Sequence, residues 1–92
     1  MRKIEQQMLA SIQNRSNWVL DNTSVQPISD VNCSVYLHGN HIADVNNPTG
    51  FVLVDVDTLR RFPTPTTKSR LRALGVNVST RKGITYLNNQ PI

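Results

Sequence analysis

Disulfide chemistry is the first thing this sequence excludes. Its 92 residues include one cysteine, Cys33, so no intrachain bridge can form and the fold must rest on its own core. Glycine is also sparse, and the four glycines are too widely separated to make a phosphate-cradling loop. The aromatic residues Trp18, Tyr36, Phe51, Phe62 and Tyr86 are scattered along the chain. That scatter argues against a single-strand or RNA reader built on stacking platforms, and leaves a duplex-backbone binder as the better expectation among nucleic-acid partners. No apolar run has the length of a membrane span, and Arg2-Lys3 is not followed by a signal-peptide core. The expectation is a soluble protein of the cytoplasm with no membrane partner.

Carboxylates are the next shortage. There are six, with Glu5 the only glutamate, and none follows Asp57. One Glu, one Cys and no nucleophile beside an oriented base leave hydrolytic chemistry without residues, so the chain is expected to be no enzyme and to use no cofactor. Asp55 and Asp57 alternate at what reads as a strand end. Carboxylates there more often face solvent and close a turn than hold a divalent cation. His38, His41 and Asp44 have ligand chemistry at three-residue spacing. A turn at Gly39-Asn40 sends them to different faces, and no fourth ligand is evident unless Cys33 joins, so no metal site is expected.

What the sequence does hold is a basic C-terminal third. Residues 1–57 carry three positive charges against six negative, whereas residues 58–92 carry +7 with no acid, giving +4 overall. The cations of that stretch are Arg60, Arg61, Lys68, Arg70, Arg72, Arg81 and Lys82. Several Lys and Arg side chains on one surface attract phosphates by releasing counterions. These seven are therefore the candidate nucleic-acid contacts, with an acidic protein as the other partner such a surface suits.

Periodicity organises the rest. Ile4, Met8, Leu9 and Ile12 recur at helical spacing from Arg2 to Asn14, with Glu5, Gln6, Gln7 and Gln13 assigned to the opposite face. Trp18-Val19-Leu20 opens an apolar cluster, with Trp18 expected at the core's edge. A short strand follows between Asn22 and Ile28, with Pro27 marking an edge or end. Cys33, Val35 and Leu37 alternate into a turn at His38-Gly39-Asn40-His41, and Ile42 to Val45 returns as a hairpin. Phe51 to Val56 is apolar enough for a central strand covered on both faces, and Arg60 to Phe62 reads as the end of a strand. Thr64 can cap a helix with Pro65 at its first position and Gly75 just past its end. Leu71 and Leu74 are its core anchors, and Lys68 and Arg72 are expected to point outward. Val76 to Leu87 reads as a hairpin turning at Arg81-Lys82-Gly83. Tyr86-Leu87-Asn88-Asn89-Gln90-Pro91-Ile92 echoes Tyr36-Leu37-His38-Gly39-Asn40-His41-Ile42, as shared turn chemistry and not as a repeat. The sum is one small α+β domain over residues 1–92, a mixed, mostly antiparallel sheet with two helices on one face. SRLRALGV followed by a hairpin also has the outline of a recognition helix and wing.

The strings MRKIEQQMLASIQNR, NWVLDNTSV, VYLHGNHIADV and TTKSRLRALGV together resemble a family of small tailed-bacteriophage accessory proteins. The resemblance covers much of residues 1–74 and stops at Leu74, before the terminal hairpin. It implies no catalytic residues. It does imply a setting in a phage-infected bacterial cytoplasm, where such proteins often bind nucleic acid or host proteins. The preferred expectation is a non-enzymatic nucleic-acid binder, and the alternative is an inhibitor or modulator of a host enzyme or defence complex. The expected state is a monomer or a small homo-oligomer pairing edge strands near Val25 or Leu87.

Overall fold

The computed structural model describes residues 1–92 and orders them as helix, five strands, two helices and three strands. Helix α1 spans Lys3–Asn14. It stops where Arg15 turns left-handed, φ 52°, and the Ser16 N–H reaches back to the Ser11 carbonyl at 2.9 Å. Strands β1 (Trp18–Leu20), β2 (Thr23–Pro27), β3 (Asn32–Leu37), β4 (Asn40–Asn46) and β5 (Val52–Val54) form an antiparallel meander in chain order. A two-residue turn at His38-Gly39, φ 52° and 78°, joins β3 to β4. Both φ values are positive, which matches the right-handed twist of the flanking strands.

Helix α2, Val56–Arg61, was not expected from the pattern. Asp55 is its N-cap, accepting from the Thr58 N–H at 3.1 Å, with Asp57 in the first turn and Arg60 and Arg61 in the last. That charge order complements the helix dipole. A six-residue helix cannot stand alone, and α2 is anchored by Leu59, which is buried in the core. The run from Phe51 to Val56 is therefore no central strand. Only Val52–Val54 pairs, on one side, leaving Phe51 and Leu53 exposed at the sheet's free edge.

Helix α3, Pro65–Ala73, follows its expected signals. The Thr64 hydroxyl accepts from the Thr67 N–H at 3.1 Å, and Pro65 takes the first position. Past the end, Gly75 adopts φ 94°. Its N–H bonds the Arg72 carbonyl at 2.9 Å, and that of Val76 bonds the Leu71 carbonyl at 3.0 Å, a pairing that requires the left-handed residue between.

The remaining strands, β6 (Val78–Arg81), β7 (Ile84–Leu87) and β8 (Gln90–Pro91), form a separate antiparallel sheet. Its turns, Lys82-Gly83 and Asn88-Asn89, again have positive φ at both central residues. The echo between the two Tyr-Leu strings is thus a repeated turn geometry. The fold is α+β as expected, but in two sheets and with a third helix. Val25 and Leu87 both lie on inner strands, paired on each side, so the free edges are elsewhere.

One core joins these parts. Met8 and Ile12 of α1 and Leu71 of α3 cluster with Val25, Cys33, Val35, Ile42, Ala43 and Val45 of the large sheet, with Leu59 of α2 and with Val78 of β6. Trp18 packs at its margin, half-buried. The reverse face of the large sheet, bearing Ser24, Tyr36, His41 and Asp44, has no helix over it.

Candidate functional site

The seven basic candidates divide into two groups. Arg60, Arg61, Arg72, Arg81 and Lys82 are exposed, whereas Lys68 and Arg70 are buried. Residue 70 faces α1, where its guanidinium donates to Glu5 at 2.9 Å and to Thr23 Oγ1 at 3.0 Å. Both members of the ion pair have side chains no more than 5% exposed. Ser69 donates to the same Glu5 oxygen at 2.5 Å. Burial alone would raise the Glu5 pKa. The hydrogen bonds from Ser69 and Arg70, a backbone N–H and the guanidinium charge outweigh it and hold the pKa below its ordinary value.

Lys68 reaches the other way, its ammonium donating to the Thr80 hydroxyl of β6. The expectation that Lys68 points outward fails because α3 is flanked by α1 on one side and β6 on the other. Little of its surface is left free. The missed signal lies in α1: Glu5, Met8 and Ile12 are themselves at core spacing, and all three are buried. A lone glutamate on that stripe demands a buried cation.

Four of the five exposed cations contact neighbours. Arg81 lies over the Tyr86 ring at 4.7 Å and donates to Asn89 at 3.1 Å. Arg72 donates to the Val78 carbonyl at 2.9 Å. Arg61 lies against the Phe62 ring at 5.8 Å, and Arg60 makes a loose, exposed pair with Asp57 at 3.6 Å. Arg60 and Pro63 share a depression of about 430 Å³ with Gly83, Ile84, Thr85 and Ile92. The end of α2 thus meets the Lys82-Gly83 turn, although more than twenty residues separate them in the chain.

A second cluster lies on the uncovered face of the large sheet. Nδ1 of His41 is 2.9 Å from Asp55 and Nε2 is 2.8 Å from Asp44. Ser34 donates to the same Asp44 oxygen at 2.5 Å. A neutral imidazole has one N–H, so two carboxylate partners favour the doubly protonated ring. Burial would lower the His41 pKa, but hydrogen bonds to Asp55 and Asp44 raise it above its ordinary value. Asp55 is correspondingly held low, first by His41 and then by the Thr58 N–H. Asp55 is thereby a cap and an ion-pair partner at once, not the end of a strand. His38 stays in its turn, apart from this cluster, and no three His, Cys, Asp or Glu side chains are placed to hold a metal ion.

Cys33 is fully buried, and burial pushes its thiol pKa up. Such a thiol is an inert core group. Between the β3–β4 turn and the α2–α3 connection lies a cleft of about 400 Å³ with Leu37 and Ile42 at its base and Phe62 in its lining. No helix is long and apolar enough to cross a membrane.

Compared with protein families, the sequence matches the Kyanoviridae Gp96 protein family across residues 1–92. The chain belongs to that family. This is a family of phage proteins, in agreement with the resemblance in the VYLHGN and TTKSRL strings. The match continues past Leu74 and takes in the small sheet, so β6 to β8 belong to the Kyanoviridae Gp96 pattern and are no addition to it. No curated protein and no solved structure matches the chain.

Proposed function

We propose that this phage protein acts by binding, not by catalysis, and that it holds the phosphate backbone of nucleic acid in the infected cell. The contacts are Arg60, Arg61, Arg72, Arg81 and Lys82. One observation carries the reading: Arg60 and Gly83 of the Lys82-Gly83 turn border a single depression. Arg60 therefore lies close to the turn that carries Lys82, although the two are distant in sequence, and no carboxylate occurs in the chain after Asp57. Lys68 and Arg70 serve the fold instead. The buried part of α3 also argues against its use as a groove-reading helix, and favours the small sheet's turn as the contacting element.

Fluorescence anisotropy with labelled duplex DNA, single-stranded DNA and RNA tests this. Neutralising about four phosphates gives a log–log salt slope of roughly −4 on duplex DNA. An Arg81→Glu/Lys82→Glu variant should weaken binding and flatten that slope by about 2. Absence of binding at low salt removes the reading. A second reading, capture of an acidic host protein, draws on Phe51 and Leu53, exposed at the free edge of β5. That edge suits strand addition. It predicts stoichiometric binding that tolerates salt and is lost on substituting Leu53 by Lys.

A further inference from the structure

We propose that the cleft between the β3–β4 turn and the α2–α3 connection takes a single unstacked nucleobase, with the attached phosphate directed to Arg61 and to the depression that contains Arg60. This deepens the proposed function and rests on it. It departs from the expectation that scattered aromatics favour a duplex-backbone binder over a stacking reader, because one aromatic beside a polar rim suffices for one base.

The argument starts from the cleft's chemistry. Its volume of about 400 Å³ lies in the range of small-molecule sites, about 300–1,000 Å³. The base is apolar, formed by Leu37 and Ile42, and Phe62 adds an aromatic surface that is 42% exposed. The rim is polar and carries no carboxylate, lysine or arginine. The Thr64 and Thr67 hydroxyls bond each other at 2.9 Å, which leaves the side chains of His38, Asn40 and Thr66 to meet a ligand. Asn40 offers both a donor and an acceptor, and Thr66 and His38 can each do either. An apolar floor, a π-face and a polar rim of mixed donors and acceptors suit a flat, neutral heterocycle. They suit neither a metal ion nor a bare anion.

The phosphate comes from position. Phe62 lines this cleft, and its chain neighbour Pro63 lines the depression that contains Arg60 and Gly83. Adjacent Cα atoms are about 3.8 Å apart, so the two hollows are lined by consecutive residues of the α2–α3 connection. Arg61 already lies against the Phe62 ring. A nucleotide with its base on Phe62 would have Arg61 beside the ring and Arg60 in the neighbouring depression as the cations nearest its phosphate.

The ligand can be a free nucleotide or one unpaired residue of a strand, and the test separates them. The ¹⁵N-labelled chain is titrated with adenosine and uridine monophosphate, with ribose 5-phosphate, and with hexa-adenylate. The expected result is movement of amide signals at Asn40, Thr66 and Thr67 with the monophosphates and none there with ribose 5-phosphate. Phe62→Ala should weaken this binding about ten-fold, the scale of one base–aromatic stack, while Phe62→Tyr should retain it. Hexa-adenylate binding at least ten-fold tighter than the monophosphate identifies a strand as the source, and equal affinity identifies the free nucleotide. Hexa-adenylate shifts confined to the Arg81-Lys82 turn overturn the cleft proposal and leave the backbone reading standing. Identical shifts from ribose 5-phosphate, or unchanged affinity in Phe62→Ala, overturn it as well. Silence from every probe overturns the cleft proposal, and the duplex titration described above decides the backbone reading separately.

Discussion

Replacing Glu5 by Gln is the sharpest perturbation the structure suggests. The change preserves shape and removes one charge, leaving the Arg70 guanidinium, 4% exposed, without its counter-ion. Breaking a buried pair from one side costs about 3–5 kcal/mol. A domain of this length has a total stability of roughly 5–14 kcal/mol, so the variant loses a large fraction of it and melts roughly 12–40 °C lower. Urea unfolding followed by Trp18 fluorescence and far-UV circular dichroism measures the loss. The companion variant Glu5→Leu/Arg70→Met removes both charges and keeps apolar bulk in the gap. The Thr23 hydroxyl, which accepts from Arg70, also donates to Asn22 at 2.8 Å, so it should keep a partner once Arg70 is replaced. Replacing both partners by apolar groups is close to neutral or stabilising in comparable cases. The double variant should therefore lie within about 2 kcal/mol of the parent, and the cycle should give a coupling of several kcal/mol. A Glu5→Gln cost below about 1 kcal/mol would refute the account of this pair as a structural ion pair. So would a double variant as unstable as the summed singles. The double variant should also bind nucleic acid as the parent does, because Arg70 offers no charge to solvent.

Four further outcomes follow from local geometry. His41 has a raised pKa in the folded chain, so its contribution to stability is complete below the ordinary value of 6.5 and is lost as pH rises through the folded value. Stability measured at rising pH should fall above that point, and His41→Asn should flatten the fall. Glu5 and Asp55 have lowered values, so their contributions are present above the ordinary 4.5 and 3.8 and are lost as acid drives pH below them. Acid unfolding should start later in pH for the Glu5→Leu/Arg70→Met variant. Thr64→Ala removes the hydroxyl that caps α3 and should cost about 1 kcal/mol in urea unfolding. Gly75→Ala meets no atom within 4 Å but forces φ 94° on a residue with a Cβ. Its cost, about 1 kcal/mol or more, is backbone strain alone, and unchanged stability would argue against a left-handed Gly75.

Turn chemistry was the most legible part of this chain. His38-Gly39 and Lys82-Gly83 mark hairpins because positive φ at two successive residues is a demand few sequences meet. Thr64-Pro65 and Gly75 bracket α3 for equally local reasons. Helix α2 escaped because Phe51 to Val56 is β-branched and apolar, which reads as strand, while the cap that starts the helix is a single Asp55. Which side of β5 is covered depends on what pairs there, and nothing in Val52-Leu53-Val54 specifies it. Its neighbour β4 pairs on one side, and the other stays open.

Charge behaved in the same divided way. That the last 35 residues are basic and free of acid is written in the sequence, and so is the phage family to which the chain belongs. Which of those cations face water was decided only by packing. A nine-residue helix between α1 and β6 buries Lys68 and Arg70 whatever their polarity, because Leu71 must reach the core and its neighbours are carried in with it. The return of the chain through β6 and β7 likewise brings Arg60 to the Lys82-Gly83 turn. Local sequence determines turns, caps and net charge because each depends on a few adjacent residues. Burial of a charge and convergence of distant ones depend on contacts across the fold, and these exist only once the chain has closed on itself.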